Sequence, residues 1–226
     1  MFRNYFALFS MLSFFVIPNV IPPVMAETTF VDQEDVAIRF GGGNLELGKN
    51  KSKSELCIEC HANADSLEKS GIGVPQLAGQ YAGYLFKQLR NFKSGERKHS
   101  VMSKMVEHLN DEDLENIATY FANQPVMQGK GSKTNAIAQN LFLRGDSKRN
   151  IMSCKSCHGM DGKGSHSAND INPVIAGQSQ FYLREQLRNW RSAARTNSPD
   201  QVMNVIAKSL TDTEIEALAE YISDMP

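Results

Sequence analysis

The five residues C-I-E-C-H at 57–61 recur as C-K-S-C-H at 154–158, and these two stretches use all four cysteines of the 226-residue chain. The recurrence extends well beyond them. P-Q-L-A-G-Q at 75–80 returns as P-V-I-A-G-Q at 173–178, and Y-L-F-K-Q-L-R-N-F at 84–92 as Y-L-R-E-Q-L-R-N-W at 182–190. M-S-K-M-V-E-H-L at 102–109 returns as M-N-V-I-A-K-S-L at 203–210, and N-I-A-T-Y at 116–120 as A-L-A-E-Y at 217–221. Arg97 matches Arg195, and the offset drifts only from 97 to 101 residues. Self-similarity at a fixed period is the mark of a repeated structural unit. Two copies of one domain of roughly one hundred residues are therefore expected. Pro125, Gly129, Gly131 and Ser132 interrupt the pattern between the copies. The joint falls near 125–135, giving an N-terminal domain at 27–128 and a C-terminal domain at 129–226.

Residues 1–26 stand outside the repeat. Arg3 is followed by an apolar run from Tyr5 to Ile17, then Pro18, Pro22 and Pro23, then Val24-Met25-Ala26. A basic start, a short apolar stretch and small residues at the end describe a cleaved secretory signal. The alternative is a retained anchor, but a run of thirteen residues closed by three prolines falls short of the ~20 that a membrane-spanning helix needs. No second apolar run of that kind follows, so the mature protein is expected to be soluble outside the cytoplasm.

Inside each copy the apolar residues recur at helical spacing. Leu85, Leu89 and Phe92 fall at i, i+4, i+7, as do Leu183, Leu187 and Trp190. Leu114, Ile117, Ala118 and Phe121 form a second stripe, which Ile215, Leu218, Ala219 and Ile222 repeat. Thr211 with Glu214 reads as a capping box, Asn110 with Asp113 as a looser one. Residues 134–144 read as the first helix of the second copy. Alternation of the strand type is almost absent, so the fold class is all-α.

The chemistry lies in the two C-x-x-C-H motifs. Two thiols one helical turn apart can each add to a vinyl group on one edge of a haem, and the next residue then lies under the iron. This spacing is the signature of c-type haem attachment. A thioredoxin-type redox pair would need a βαβ context, and a zinc site would need four ligands in one cluster. Disulfides closed within C-x-x-C would span loops too short to stabilise much. Two covalently bound haem c groups are therefore expected, one on Cys57 and Cys60, the other on Cys154 and Cys157. His61 and His158 are the iron ligands that follow them.

The sixth ligand comes from the repeat. In electron-transfer haem proteins it is usually Met or a second His. Met102 and Met203 each stand seven residues before a matched leucine, Leu109 and Leu210, whereas Met105 aligns with Ile206 and His108 with Ser209. A shared architecture needs a ligand at shared positions, so Met102 and Met203 are the candidates and Met105 reads as core filler. Each axial imidazole also needs an acceptor for its Nδ1–H. Pro75 and Pro173 follow their histidines by 14 and 15 residues and their carbonyls are placed to serve. Arg97 and Arg195 are candidates to pair with haem propionates, with solvated surface arginine as the other reading.

With P-x-x-A-G-Q, Y-L-x-x-Q-L-x-x-[FW] and Met-x6-Leu before a final helix, the sequence resembles the dihaem cytochrome c4 family over nearly all of the mature chain. The resemblance implies two tandem class I cytochrome c domains related by a pseudo-twofold axis. It implies a periplasmic electron carrier in a respiratory chain, delivering typically to a haem–copper oxidase. Partners of that kind are a quinol–cytochrome c oxidoreductase, a haem–copper oxidase or a periplasmic dehydrogenase, with peripheral association with a membrane as a further option. One stretch departs from the pattern. The second motif continues H-G-M-D-G-K-G, the first H-A-N-A-D-S, with no glycine until Gly71.

Composition narrows the field. With 24 Lys and Arg against 25 Asp and Glu the chain is balanced, unlike the basic face that nucleic acid requires. Removing residues 1–26 takes six of 19 aromatics with it and leaves 200 residues. That is a thin supply for two small cores, which usually need a staple or a cofactor. A dihaem redox enzyme would need a vacant or unusual ligand position such as a fifth cysteine, and the chain has four. A haem-bearing subunit of a larger periplasmic oxidoreductase remains the second alternative.

Overall fold

The structure, a computed structural model, describes Met1 and residues 39–62, 64–69, 71–167 and 170–226. The expected signal peptide therefore lies outside the described residues apart from Met1, as does the start of the domain expected at 27–128. The chain divides into a unit Met1–Phe30 and a body Val31–Pro226, and the body carries everything below. Among the described residues no helix is long and apolar enough to cross a membrane.

The first copy runs α1 (Leu45–Ser54), α2 (Cys57–His61), α3 (Ala64–Lys69), α4 (Ala82–Ser94), α5 (Met102–Val106) and α6 (Asp111–Ala122). The second runs α7 (Ala136–Arg144), α8 (Lys155–His158), a hairpin of β1 (Ser165–Ser167) and β2 (Asp170–Asn172), α9 (Gln180–Arg191), α10 (Val202–Lys208) and α11 (Asp212–Ser223). The all-α expectation holds. The short hairpin, with Ser165 opposite Asn172, is the one strand pair among the described residues.

The expected stripes are the core. Leu85, Phe92, Leu114, Ile117, Ala118 and Phe121 pack together in the first copy, and Leu183, Trp190, Ile215, Leu218, Ala219 and Ile222 in the second. Both capping boxes form at the N-termini of α6 and α11, each with its side chain and backbone bonds reciprocated. In the first copy α1 crosses α6 so closely that a Cβ on Gly48 would lie 1.9 Å from the Asn116 carbonyl oxygen. Only glycine lets the two backbones meet there. In the second copy α7 meets α11 through the edge-on pair Phe142 and Tyr221, centroids 5.7 Å apart.

The departure seen after the first motif has a structural outcome. In the second copy Gly159, Gly162 and Gly164 all take positive φ, and the loop folds back so that Gly164 N–H donates to the His158 carbonyl at 2.7 Å. A Cβ on Gly164 would lie 2.3 Å from the Asn172 carbonyl oxygen, so this turn needs glycine. The first copy has alanine, leucine, glutamate and lysine in that stretch, good helix formers, and the chain forms α3 instead.

The two copies pack on one another. Tyr81, Met127 and Val174 form a small buried cluster between them. The connecting segment is docked rather than loose. Gly129 N–H donates to the Met225 carbonyl at 2.7 Å, and the backbone N–H groups of Ser132 and Lys133 reach Asp224 Oδ2 at 2.5 and 2.6 Å.

Candidate haem-binding sites

The two motifs occupy matching positions, α2 in the first copy and the turn into α8 in the second. All four thiols are unpaired with one another. Burial pushes Cys57 and Cys154 up to about 11, the opposite of the lowered value that makes a redox-active dithiol reactive. Nor do the motifs converge as a zinc cluster would require. Among the described residues no group of three or more His, Cys, Asp or Glu comes together to hold a metal ion.

His61 Nδ1 lies 2.8 Å from the Pro75 carbonyl oxygen, and His158 Nδ1 lies 2.9 Å from that of Pro173. A carbonyl oxygen only accepts, so Nδ1 carries the proton and Nε2 keeps its lone pair. Burial lowers the pKa of both imidazoles, with the carbonyl bond only partly opposing it. Each ring is thus neutral, oriented and in the tautomer that presents Nε2 to a metal. The two sites differ in cover. His158 is 9% exposed beneath its glycine loop, while His61 is half-buried beside a cavity of about 310 Å³ lined also by Ile58, Ala62, Gln76 and Phe121.

Met102 opens α5 and Met203 lies in the first turn of α10. Met102 packs against the same apolar cluster as Cys57, and Met203 against the same cluster as Cys154. Met105 was expected as core filler, but it is half-buried and stands outside the first cluster, whereas its counterpart Ile206 packs against the second. The structure therefore brings Cys57 and Met102 to one apolar cluster and Cys154 and Met203 to the other, and His61 meets the first cluster edge-on at Phe121.

Arg97 and Arg195 are not surface residues. They are 9% and 7% exposed, at the junction of the copies. Arg97 Nη1 donates to Gln88 at 2.8 Å in its own half, and Nη2 to Tyr182 and Gln186 of the other, both at 3.0 Å. Arg195 mirrors it, with Nη1 to Gln186 at 2.8 Å and Nη2 to Tyr84 and Gln88 at 3.1 and 3.0 Å. The guanidiniums also cover the rings of Phe92 and Trp190, at 4.5 and 4.2 Å. Burial pushes the Tyr182 hydroxyl up, and the two guanidiniums more than reverse it.

Every partner in this network is neutral, and no ion pair among the described residues joins either arginine to a carboxylate. Two buried cations without a counter-charge are costly. Haem propionates are the anions that the donor set fits. Free thiols, Nε2 lone pairs and buried cations lacking counter-ions are together a donor set that matches haem c.

The sequence reading did not assign Tyr84, Gln88, Tyr182 and Gln186, nor Gln80 and Gln178. Their signal was present, since each polar pair recurs in both copies. Each, however, also bonds to a partner in the opposite copy, about which a local motif says nothing.

Residues 146–226 match the Cytochrome c family. The chain is 36% identical to the thiosulfate dehydrogenase electron acceptor of Stutzerimonas stutzeri over 75% of its length and 78% of that protein. It is 34% identical to cytochrome c4 of Pseudomonas aeruginosa over 80% of its length and 89% of that protein. Among solved structures it resembles reduced recombinant cytochrome c4 from Pseudomonas stutzeri, with a TM-score of 0.70 at 32% identity, covering 81% of this chain and 100% of that one. It also resembles a thiosulfate dehydrogenase from Marichromatium purpuratum, with a TM-score of 0.69 at 28% identity, covering 81% of this chain but 40% of that one.

Proposed function

The chain belongs to the cytochrome c4 family, and from that premise we propose that it is a periplasmic dihaem carrier that passes single electrons between redox proteins. It is an electron-transfer protein rather than an enzyme. Haem c supplies a one-electron iron couple. Cys57 and Cys60 would hold one group in the domain at 27–128, and Cys154 and Cys157 the other in the domain at 129–226. His61 and His158 would bind iron through Nε2, with Met102 and Met203 as the second protein ligands. Such a His/Met pair would leave no place for a substrate and would raise the potential relative to bis-His ligation. The observation that carries this reading is the duplicated bond from His Nδ1 to the proline carbonyl, beside two unpaired C-x-x-C thiol pairs.

The names of the relatives bear on the donor. Similarity to thiosulfate dehydrogenase electron acceptors favours a periplasmic dehydrogenase as the source of electrons, with a haem–copper oxidase downstream. Acid–acetone extraction tests attachment first. Two haems per chain should stay with the protein, and the double substitution Cys57→Ala with Cys60→Ala should leave one, on the second half. Haem recovered in the acetone, or complete loss of colour in the double variant, overturns the reading. The intact protein should then be reduced by thiosulfate with its dehydrogenase, and reoxidised by the oxidase.

A further inference from the structure

The glutamine that ends each P-x-x-A-G-Q segment is buried, Gln80 at 4% and Gln178 at 5% exposure. Each directs its carboxamide at the other half. Gln80 Oε1 accepts from the Val174 N–H at 2.9 Å while its Nε2 donates to the Val174 carbonyl at 2.8 Å. Gln178 Oε1 accepts from the Gln76 N–H at 2.8 Å while its Nε2 donates to the Gln76 carbonyl at 2.8 Å. Each Oε1 also accepts the N–H of the next residue, Tyr81 at 3.0 Å and Ser179 at 2.9 Å. With an N–H facing the oxygen and a carbonyl facing the nitrogen, neither amide can be flipped.

The target of each clasp matters. The Val174 N–H belongs to the same peptide group as the Pro173 carbonyl, and the Gln76 N–H to the same peptide group as the Pro75 carbonyl. Those are the carbonyls that accept from His158 and His61. A hydrogen-bonded chain therefore runs from Gln80 in the first half, across one planar peptide, to His158 in the second. Its twin runs from Gln178 to His61. We propose that Gln80 and Gln178 are reciprocal positioning residues, each setting the orientation and basicity of the axial histidine in the opposite domain. The inference rests on the reading of His61 and His158 as iron ligands.

The physical basis is polarisation along the chain. An acceptor on the peptide N–H draws electron density towards the carbonyl oxygen and strengthens it as an acceptor. A stronger acceptor on Nδ1–H makes the imidazole a better donor at Nε2 and favours ferric over ferrous iron. Gln80 thus lowers the potential on the His158 side, and Gln178 lowers it on the His61 side. The arrangement ties the redox level of each domain to its docking against the other.

Gln80→Met and Gln178→Met keep length and remove the acceptor. In the holoprotein, voltammetry gives the two potentials, and paramagnetically shifted NMR signals of the axial ligands assign them. Gln80→Met should raise the His158-side potential, changing its ferric-to-ferrous ratio at fixed applied potential about two- to fivefold. The His61 side should stay in place. Gln178→Met should do the reverse. Gln80→Glu and Gln178→Glu retain an acceptor for the peptide N–H and should not raise the far potential. A shift on the near side, equal shifts on both sides, or no shift overturns the inference. If the methionine variants fail to fold, a rise in the far potential of the glutamate variants overturns it instead. Paramagnetically shifted imidazole signals of the unaltered protein, assigned to His61 and His158, test the histidine ligation separately, so the two fail distinguishably.

Discussion

At the residue scale, a site is legible in sequence when its chemistry is local. Cys57, Cys60 and His61 lie within five residues, and their spacing alone points to haem attachment. The proline carbonyls are nearly as local, because Pro75 follows His61 by 14 residues and Pro173 follows His158 by 15, although the chain between them folds differently in the two copies. Gln80 was not legible, since it clasps a residue 94 positions away in the opposite copy. The arginines were half legible: matched positions marked them, but only packing shows that they are buried cations facing neutral partners. The methionines give the sharpest test at this scale. Met102→Ala and Met203→Ala should each remove about half of the near-infrared methionine–iron band and admit carbon monoxide to one reduced haem. Met105→Ala, outside the apolar cluster that takes in Met102, should leave both signals intact. A band lost with Met105→Ala instead would shift the first ligand by one helical turn.

At the scale of elements, periodicity carried the helices and chain chemistry decided the rest. The stripes of α4, α6, α9 and α11 were visible because a buried helical face repeats every 3.6 residues. The loop after the second motif follows from its glycines, whereas α3 and the β1–β2 hairpin are too short to leave a period. Two tests belong here. Gly48→Ala should destabilise the first half by about 1–3 kcal/mol, the usual penalty for overpacking, because the nearest atom to its Cβ is backbone of α6. Denaturant unfolding followed in the first-half haem signal measures it.

The other element test concerns α11, where Glu214 both caps the helix and takes a two-pronged bond from Arg149, at 3.0 and 2.6 Å. That bond holds the Glu214 carboxyl down at about 2, below the ordinary ~4.3. A depressed carboxyl contributes stability that is fully present above about pH 4.3 and lost as pH falls towards about 2. Glu214→Gln keeps the capping box, which accepts Gln as readily as Glu, and removes the ion pair. The variant should lose stability at neutral pH and show a shallower fall in unfolding temperature between those limits. Asp146, Asp212 and Asp224, also held below their usual range, keep the slope from vanishing. An unchanged slope would deny the pair its role.

At the scale of the whole molecule the two copies are alike in fold and unlike in charge. Residues 27–125 carry 11 Lys and Arg against 15 Asp and Glu, a formal −4, while residues 126–226 carry 12 against 10, a formal +2. Four of the first half's acids, Glu27, Asp32, Glu34 and Asp35, lie outside the described residues, and residues 39–125 alone are balanced at 11 Lys and Arg against 11 Asp and Glu. A difference of charge between two halves steers diffusional encounter. Redox interfaces are small and transient, so steering acts chiefly on the association rate. A donor and an acceptor of opposite surface charge would then meet opposite halves, with electrons crossing between the haems inside the molecule. Exposed Glu46 and Glu107 on the first half, and Lys148 and Lys208 on the second, allow a direct test. Stopped-flow reduction and reoxidation should slow or quicken with ionic strength in opposite senses for the two partners. Glu46→Lys with Glu107→Lys should change the rate with one partner, and Lys148→Glu with Lys208→Glu the rate with the other. If both pairs of reversals move both rates alike, the charge difference is ordinary solvated surface and the halves are interchangeable docking faces.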